Sequence, residues 1–255
     1  MSDPWSLLTD ALDAIGGAPA NFWLRDDDAV SDTPELRRLA GWAARNGTEA
    51  LLAVIPARVE ETLSQALVAC PELRACVHGW AHTNHACAPD KKQEFAAHRP
   101  MADMRTELRD GLEIVRQLSP DTALGVFVPP WNRVCPEVVS ELAEMGFSGL
   151  SVFADRFLAG APEGLKIGNT HLDVIDWHGT RGCRPHPELI EEAAELVRAH
   201  AGTGIPIGIL THHLVHDEAV WEFLERLGEL VRSHPRARWV GPAEVFPSQP
   251  PAVQN

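Results

Sequence analysis

A chain of 255 residues, 45% of them apolar, is long enough to bury one large core. Its formal charge of −14, with no basic stripe, argues against binding nucleic-acid phosphates, which requires clustered Lys and Arg. No apolar run approaches the roughly 20 residues a membrane-spanning helix needs, so no membrane contact is expected.

The opening "MSDPWSLLTDALDAIGG" is acidic and lacks both a basic leader and a long apolar run, so it reads as a short helix and predicts a cytoplasmic protein. The five cysteines (Cys70, Cys76, Cys87, Cys135, Cys183) are odd in number and form no C-x-x-C pair, which predicts reduced thiols. Cys76 and Cys87 flank a histidine cluster and stay open as minor metal-ligand candidates.

"NFWLRD" (21–26) reads as a strand, and the segment from Thr33 to Gly47 as a helix with Thr33 as cap, Pro34 in the first turn and Gly47 at the exit. "ALLAVIP" (50–56) is a buried strand ahead of a helix near 58–69. "RACVHG" (74–79) runs into an irregular loop, 79–100. A helix near 101–118 aligns Met104, Leu108, Leu112, Val115 and Leu118 on one face. "ALGVFVPPW" (123–131) is a strand ending in a rigid turn, and "FSGLSVF" and "HLDVIDW" are shorter strands separated by a Gly- and Pro-rich irregular stretch, 159–170. "IPIGILTHH" (205–213) is a strand, Asp217 caps a helix carrying Val220, Leu224, Leu227 and Val231, and "ARWVG" (237–241) closes the series. Seven or eight strands alternating with helices predict parallel βα units in a closed barrel or a doubly wound sheet, one domain over 1–247 with a disordered tail at 248–255.

Most chemically reactive residues fall just past a strand's carboxyl end: "DDD" (26–28), His78, "PPW" (129–131), Asp176 and His212. In a parallel barrel these ends surround one cleft. Three adjacent carboxylates repel one another unless a cation, such as a divalent ion or Arg25, compensates; a solvated acidic turn before a helix is the competing explanation. His78 and His82 stand at i and i+4, the spacing that puts two imidazoles on one face of a helical turn. With one carboxylate they make a catalytic zinc set that leaves room for water. His85 reads as supporting or exposed. Trp131, on its Pro-Pro turn, offers either a fixed N–H or a core side chain, and Trp177 either a pocket wall or a core side chain. On a strand only one of His212 and His213 can enter the cleft, and His216 reads as surface.

In this order the segments "LRDDDA", "HGWAH", "FVPPW", "DVIDW" and "LTH", spanning 22–213, resemble the polysaccharide deacetylases, the chitin-deacetylase-like carbohydrate esterases of family 4 type. The pattern of that family runs T-F-D-D-G, H-[ST]-x-x-H, R-x-P-[YW], an Asp/Trp segment and L-x-H. The resemblance implies a distorted (β/α)7-8 TIM-like barrel and zinc, or another divalent transition metal, on one Asp and two His. Carried over, it makes Asp28, His78 and His82 the metal ligands, Asp27 the base and His212 the acid; a slip of one residue would give Asp26 and Asp27 instead. Val128 stands where the family has the arginine that orients the base, leaving Arg25 or Arg133 as substitutes. Asp26 replaces an aromatic, and Gly79 a Ser or Thr.

The resulting expectation is hydrolysis of a C–N amide bond, N-deacetylation of an acetylated amino sugar or related small N-acyl compound, with an oligosaccharide as the larger alternative. Trp131 would supply an oxyanion N–H; Trp131, Pro130 and Trp177 would bind substrate; Asp176 would hold His212, and Arg25 the base. The rivals are an inactive sugar- or metabolite-binding relative and a zinc phosphoesterase on a similar barrel. Self-association is left open by the sequence.

Overall fold

The buried apolar runs of the sequence become parallel strands. In a computed structural model that describes residues 3–247, these are β1 (Ala20–Ala29), β2 (Ala50–Val54), β3 (Leu73–His78), β4 (Val126–Val128), β5 (Gly149–Leu150), β6 (Lys166–Ile167), β7 (Leu172–Asp173), β8 (Ile207–Thr211) and β9 (Ala237–Trp239). The tail assigned to 248–255 lies outside the described residues. All pairings are parallel, in the order β6-β5-β4-β3-β2-β1-β8-β7, with β9 beside the start of β1.

The two ends of that order are one continuous piece of chain. Gly168 and Thr170 donate to the carbonyls of Leu150 and Val152 at 3.1 and 3.0 Å, while His171 and Val174 donate to those of Gly208 and Leu210 at 2.7 and 3.3 Å. The run 166–174 therefore serves both neighbours and closes the sheet into a barrel. Its first residues fall inside the stretch 159–170 that the sequence leaves irregular. They pair because the gap must be filled, and glycines let them: a Cβ on Gly149 or Gly168 would come within 2.6 Å of Phe246.

Strand alternation sorts the core. Trp23, Leu51, Ala53, Cys76, Val126 and Val128 pack inside the barrel with Val245 and Phe246, while Phe22, Leu24, Leu52, Val54 and Val77 face the surrounding helices. Those helices are α1 (Ser6–Ala14), α2 (Pro34–Arg45), α3 (Glu61–Ala69), α4 (Met101–Leu118), α5 (Pro136–Glu141), α6 (His186–His200), α7 (Glu218–Ser233) and α8 (Pro242–Val245). Thr33 accepts from the Leu36 N–H at 3.0 Å and Asp217 from the Val220 N–H at 2.9 Å, so α2 and α7 start at their expected caps. The helix expected near 58–69 begins only at Glu61, since Pro56–Arg58 forms a separate single turn.

Candidate active site

β1 delivers three carboxylates to three different places. Asp26 faces outward and is fully buried: its Oδ1 lies 2.5 Å from His213 Nδ1, and its Oδ2 accepts from Thr211 Oγ1 at 2.7 Å and the His213 N–H at 2.8 Å. Burial opposes the charge on Asp26, yet His213 keeps its carboxyl below the usual range, and Asp26 in turn keeps the His213 imidazole above its own. Asp27 points into the barrel above Arg25. The guanidinium, 0% exposed, reaches Asp27 through Nε at 2.9 Å and Nη2 at 3.0 Å, and also donates to Ser151 Oγ at 2.8 Å and Asn132 Oδ1 at 2.7 Å.

Alternation would turn Asp28 outward beside Asp26. Instead the pairing with β2 shifts register between Asp26 and Ala29, and Asp28 adopts φ 74°. This bulge returns its carboxylate to the barrel mouth, the kind of re-aiming that bulges perform next to sites. Asp28 Oδ1 lies 3.1 Å from His78 Nε2 and 3.3 Å from His82 Nε2.

The imidazoles arrive from an irregular loop. The i, i+4 pair does not sit on a helical turn: after His78 the chain passes Gly79 at φ 62°, and His82 itself has φ 55°. The buried carboxylate of Glu94 holds this path by accepting from the Trp80, Ala81 and Thr83 N–H groups at 3.0, 2.9 and 3.0 Å. A Cβ on residue 79 would stand 2.1 Å from Glu94 Oε2 and 2.5 Å from Pro130, which explains glycine in place of Ser or Thr.

The donor chemistry fits a divalent ion. His78 Nδ1 lies 3.0 Å from the Val128 carbonyl, which can only accept, so Nδ1 carries the hydrogen and Nε2 presents its lone pair to Asp28. Two acceptors face each other there, and only a cation between them, proton or metal, satisfies both. The ligand atoms of Asp28, His78 and His82 lie within 4.8 Å of one another. Although burial opposes charge on each, the hydrogen bond and charge of His78 hold the Asp28 carboxyl well below the usual range, and Asp27 with Asp28 raises His78. Burial and the neighbouring His78 lower His82. Buried Cys76 and exposed Cys87 are outside this set.

A cavity of about 460 Å³ opens over these groups, lined among others by Asp27, Asp28, His78, His82, Trp131 and His212. Trp131, at φ 54°, lays its ring 4.5 Å from that of His82, and the hydrogen bonds of its turn run from Asn132 to Pro129 and from Arg133 to Pro130. Pro130, assigned to substrate, is buried against Gly79 and is not on the cavity wall. Trp177 lines the cavity with its ring 4.7 Å from His212. His212 enters the cavity and His213 does not; His216, read as surface, is partly buried with Nε2 3.3 Å from the His212 N–H.

The orienting role given to Asp176 meets a different geometry. Its carboxylate accepts from the Gly179 and Thr180 N–H groups at 2.9 and 3.1 Å and shapes its own turn. Asp173, three residues earlier, lines the cavity beside His212 and accepts from Trp177 Nε1 at 2.9 Å. Burial raises its carboxyl, against the pull of the His212 charge. The segment "DVIDWHG" offers both carboxyls, and the sequence alone does not show which of them reaches the cavity. A second cluster, Asp155, His171 and His200, is a poor metal site: the Gly208 N–H donates to His171 Nδ1 at 3.0 Å, so Nε2 keeps its hydrogen.

No protein-family model and no curated protein matches the sequence. Solved structures do match over nearly the whole chain. A Mycobacterium smegmatis protein assigned to the polysaccharide deacetylases aligns with TM-score 0.68 at 15% identity, over 91% of this chain and 90% of its own. A peptidoglycan N-acetylglucosamine deacetylase aligns with TM-score 0.61 at 15% identity, over 92% of each chain. A mutant, with restored activity, of a Bacillus anthracis family 4 pseudoenzyme aligns with TM-score 0.60 at 16% identity, over 90% of this chain and 68% of its own. The chain has the fold of the polysaccharide deacetylases. Within that fold the buried guanidinium beside the acid pair comes from β1, as Arg25, and position 128 on β4 contributes only a valine to the barrel interior.

Proposed function

We propose that the protein hydrolyses the amide C–N bond of a small N-acyl compound, an acetylated amino sugar being the substrate that its structural neighbours favour. The observation that carries this reading is the convergence on one cavity of the Asp28, His78 and His82 donors with a separately clasped carboxylate, Asp27, and a separate imidazole, His212. A divalent ion on those donors, zinc or a similar transition metal, would polarise the acyl carbonyl and acidify a water.

The chain's own residues supply the rest. Asp27 accepts a proton at a carboxylate oxygen as water attacks, and Arg25 fixes that carboxylate so that no reorganisation is needed. The Trp131 N–H, unused in its turn, faces the charge that develops on the acyl oxygen. His212 delivers a proton to the departing nitrogen. Trp131 and Trp177 form walls of the size a sugar ring requires. Fold alone does not decide turnover, since the matched structures include a pseudoenzyme; the intact base and acid support an active protein over a binding relative.

The test is elemental analysis joined to turnover. The purified protein is expected to hold about one transition-metal equivalent per chain at this three-ligand site, lost in His78→Ala/His82→Ala. Asp27→Asn is expected to keep the metal and lose acetate release from acetylated amino sugars. Turnover of phosphate esters alone, or full activity in Asp27→Asn, overturns the reading.

A further inference from the structure

Three cations gather at the mouth of the cavity. Several arginines of this acidic chain are matched, Arg37 by Asp32, Arg38 by Glu218, Arg99 by Glu107 and Arg105 by Glu141, and others, such as Arg58, Arg109 and Arg198, stand unmatched among the described residues but away from the cavity. Lys92, Arg133 and Arg181 line the cavity, and none has a carboxylate within 4.0 Å among the described residues.

These side chains are held by contacts that leave their charge uncompensated. Arg133 Nη1 donates to the Lys92 carbonyl at 3.1 Å, and the neighbouring Arg156 donates to the Asn132 carbonyl at 2.7 Å. The Lys92 ammonium stands 5.8 Å from the centre of the Trp131 ring, and the Arg181 guanidinium 5.5 Å from that of Trp177. Arg133 is partly buried and repelled by Arg156. Nor do the acidic groups below neutralise them. Asp27 is committed to Arg25, Asp28 to the imidazoles, and Asp173 to the Trp177 and Ile175 N–H groups. In a chain of charge −14, unmatched cations gathered at the one cavity that holds the acid–base groups make a positive funnel in a negative surface.

We propose that the substrate carries an anionic group, a phosphate or a carboxylate, received by Arg133, Arg181 and Lys92 while its acyl group lies at the Asp28 end of the cavity. This rests on the amide-hydrolase reading above and narrows its substrate class. Guanidinium groups suit both anions, since each presents paired oxygens to a planar fork.

The experiment uses the full-length, zinc-loaded chain and three probes: N-acetylglucosamine, its 6-phosphate and N-acetylmuramic acid. Binding is measured by calorimetry in Asp27→Asn, and acetate and phosphate release in the unsubstituted protein. At low salt at least one anionic probe is expected to bind about tenfold more tightly than the neutral sugar, and Arg133→Gln or Arg181→Gln to remove about that factor. Arg226→Gln, which loses an exposed pair with Asp3 and a contact with the Trp5 ring away from the cavity, is expected to keep the preference. A gain for the 6-phosphate alone identifies a phosphate, and for N-acetylmuramic acid alone a carboxylate. Equal affinity for all three, no binding of any, or a preference that survives both arginine substitutions overturns the proposal. Tight anionic binding without acetate release from any probe would instead remove the amide-hydrolase reading and leave anion recognition standing.

Discussion

Inside the barrel Arg25 is surrounded by partners of fixed direction: two contacts to Asp27, one to Ser151 and one to Asn132. A planar fork satisfies all of them, and an ammonium cannot. Arg25→Lys is therefore expected to fold and keep its metal while kcat falls about 100-fold, because the carboxylate that receives the proton loses its fixed orientation. KM is expected to change little. Arg25→Met leaves Asp27 buried without a counter-charge and is expected to lower stability by about 3–5 kcal/mol, read as a shift in the urea midpoint. The sequence offers Arg25 as the residue that orients the base, with Arg133 as the alternative. Only strand alternation in the closed barrel puts position 25 on the inner side, whereas Arg133 sits at the rim. The same alternation explains Asp26: one residue from Asp27, it belongs to the outer layer and pairs with His213.

Among the elements, the loop after β3 depends most on a single position. Gly79 sits at φ 62° with Glu94 and Pro130 occupying the space of a side chain, while Glu94 gathers three N–H groups from the next turn. Gly79→Ala is expected to cost about 2–4 kcal/mol through left-handed strain and overpacking, and to lower the metal content measured on the purified protein. The histidine pair itself was legible in the sequence; its support was not, since Glu94 lies twelve residues past His82 in a stretch without periodicity. Longer elements were easier to read. α2 and α7 carry their caps openly, and α4 and α7 their apolar stripes. The sequence reading did not single out α6, although its buried Leu189, Ile190, Ala193, Ala194 and Val197 recur at helical spacing. β5, β6 and β7 are two residues each, too short to show a pattern, and they owe their pairing to the need to close the barrel.

At the scale of the whole molecule, buried histidines set the response to acid. Burial pushes His171 down to about 4, with help from the charge of His200, and burial likewise pushes His216 down to about 4. In the unfolded chain both protonate near 6.5. Folding therefore excludes their protons. The stability tied to these two groups is fully present above about pH 6.5 and declines as pH falls toward 4, by about 1.4 kcal/mol per pH unit for each proton excluded. His78 and His213, whose imidazoles are raised, act in the opposite sense, so the test isolates one group: between pH 7.5 and pH 5 the urea midpoint of His171→Asn is expected to lose less than that of the unsubstituted protein, by the share of one proton. An unchanged slope in this variant would mean that His171 does not stay neutral in the fold.

The left-handed bulge at the end of β1 has a mechanical outcome. A single peptide link joins Asp27 to Asp28, so the proposed proton acceptor and the proposed metal ligand hang from neighbouring Cα atoms, and a backbone shift at the bulge carries both. Covalent geometry thus holds their Cα atoms about 3.8 Å apart, and the separate partners of each carboxylate, Arg25 for one and the imidazoles for the other, set where the oxygens point.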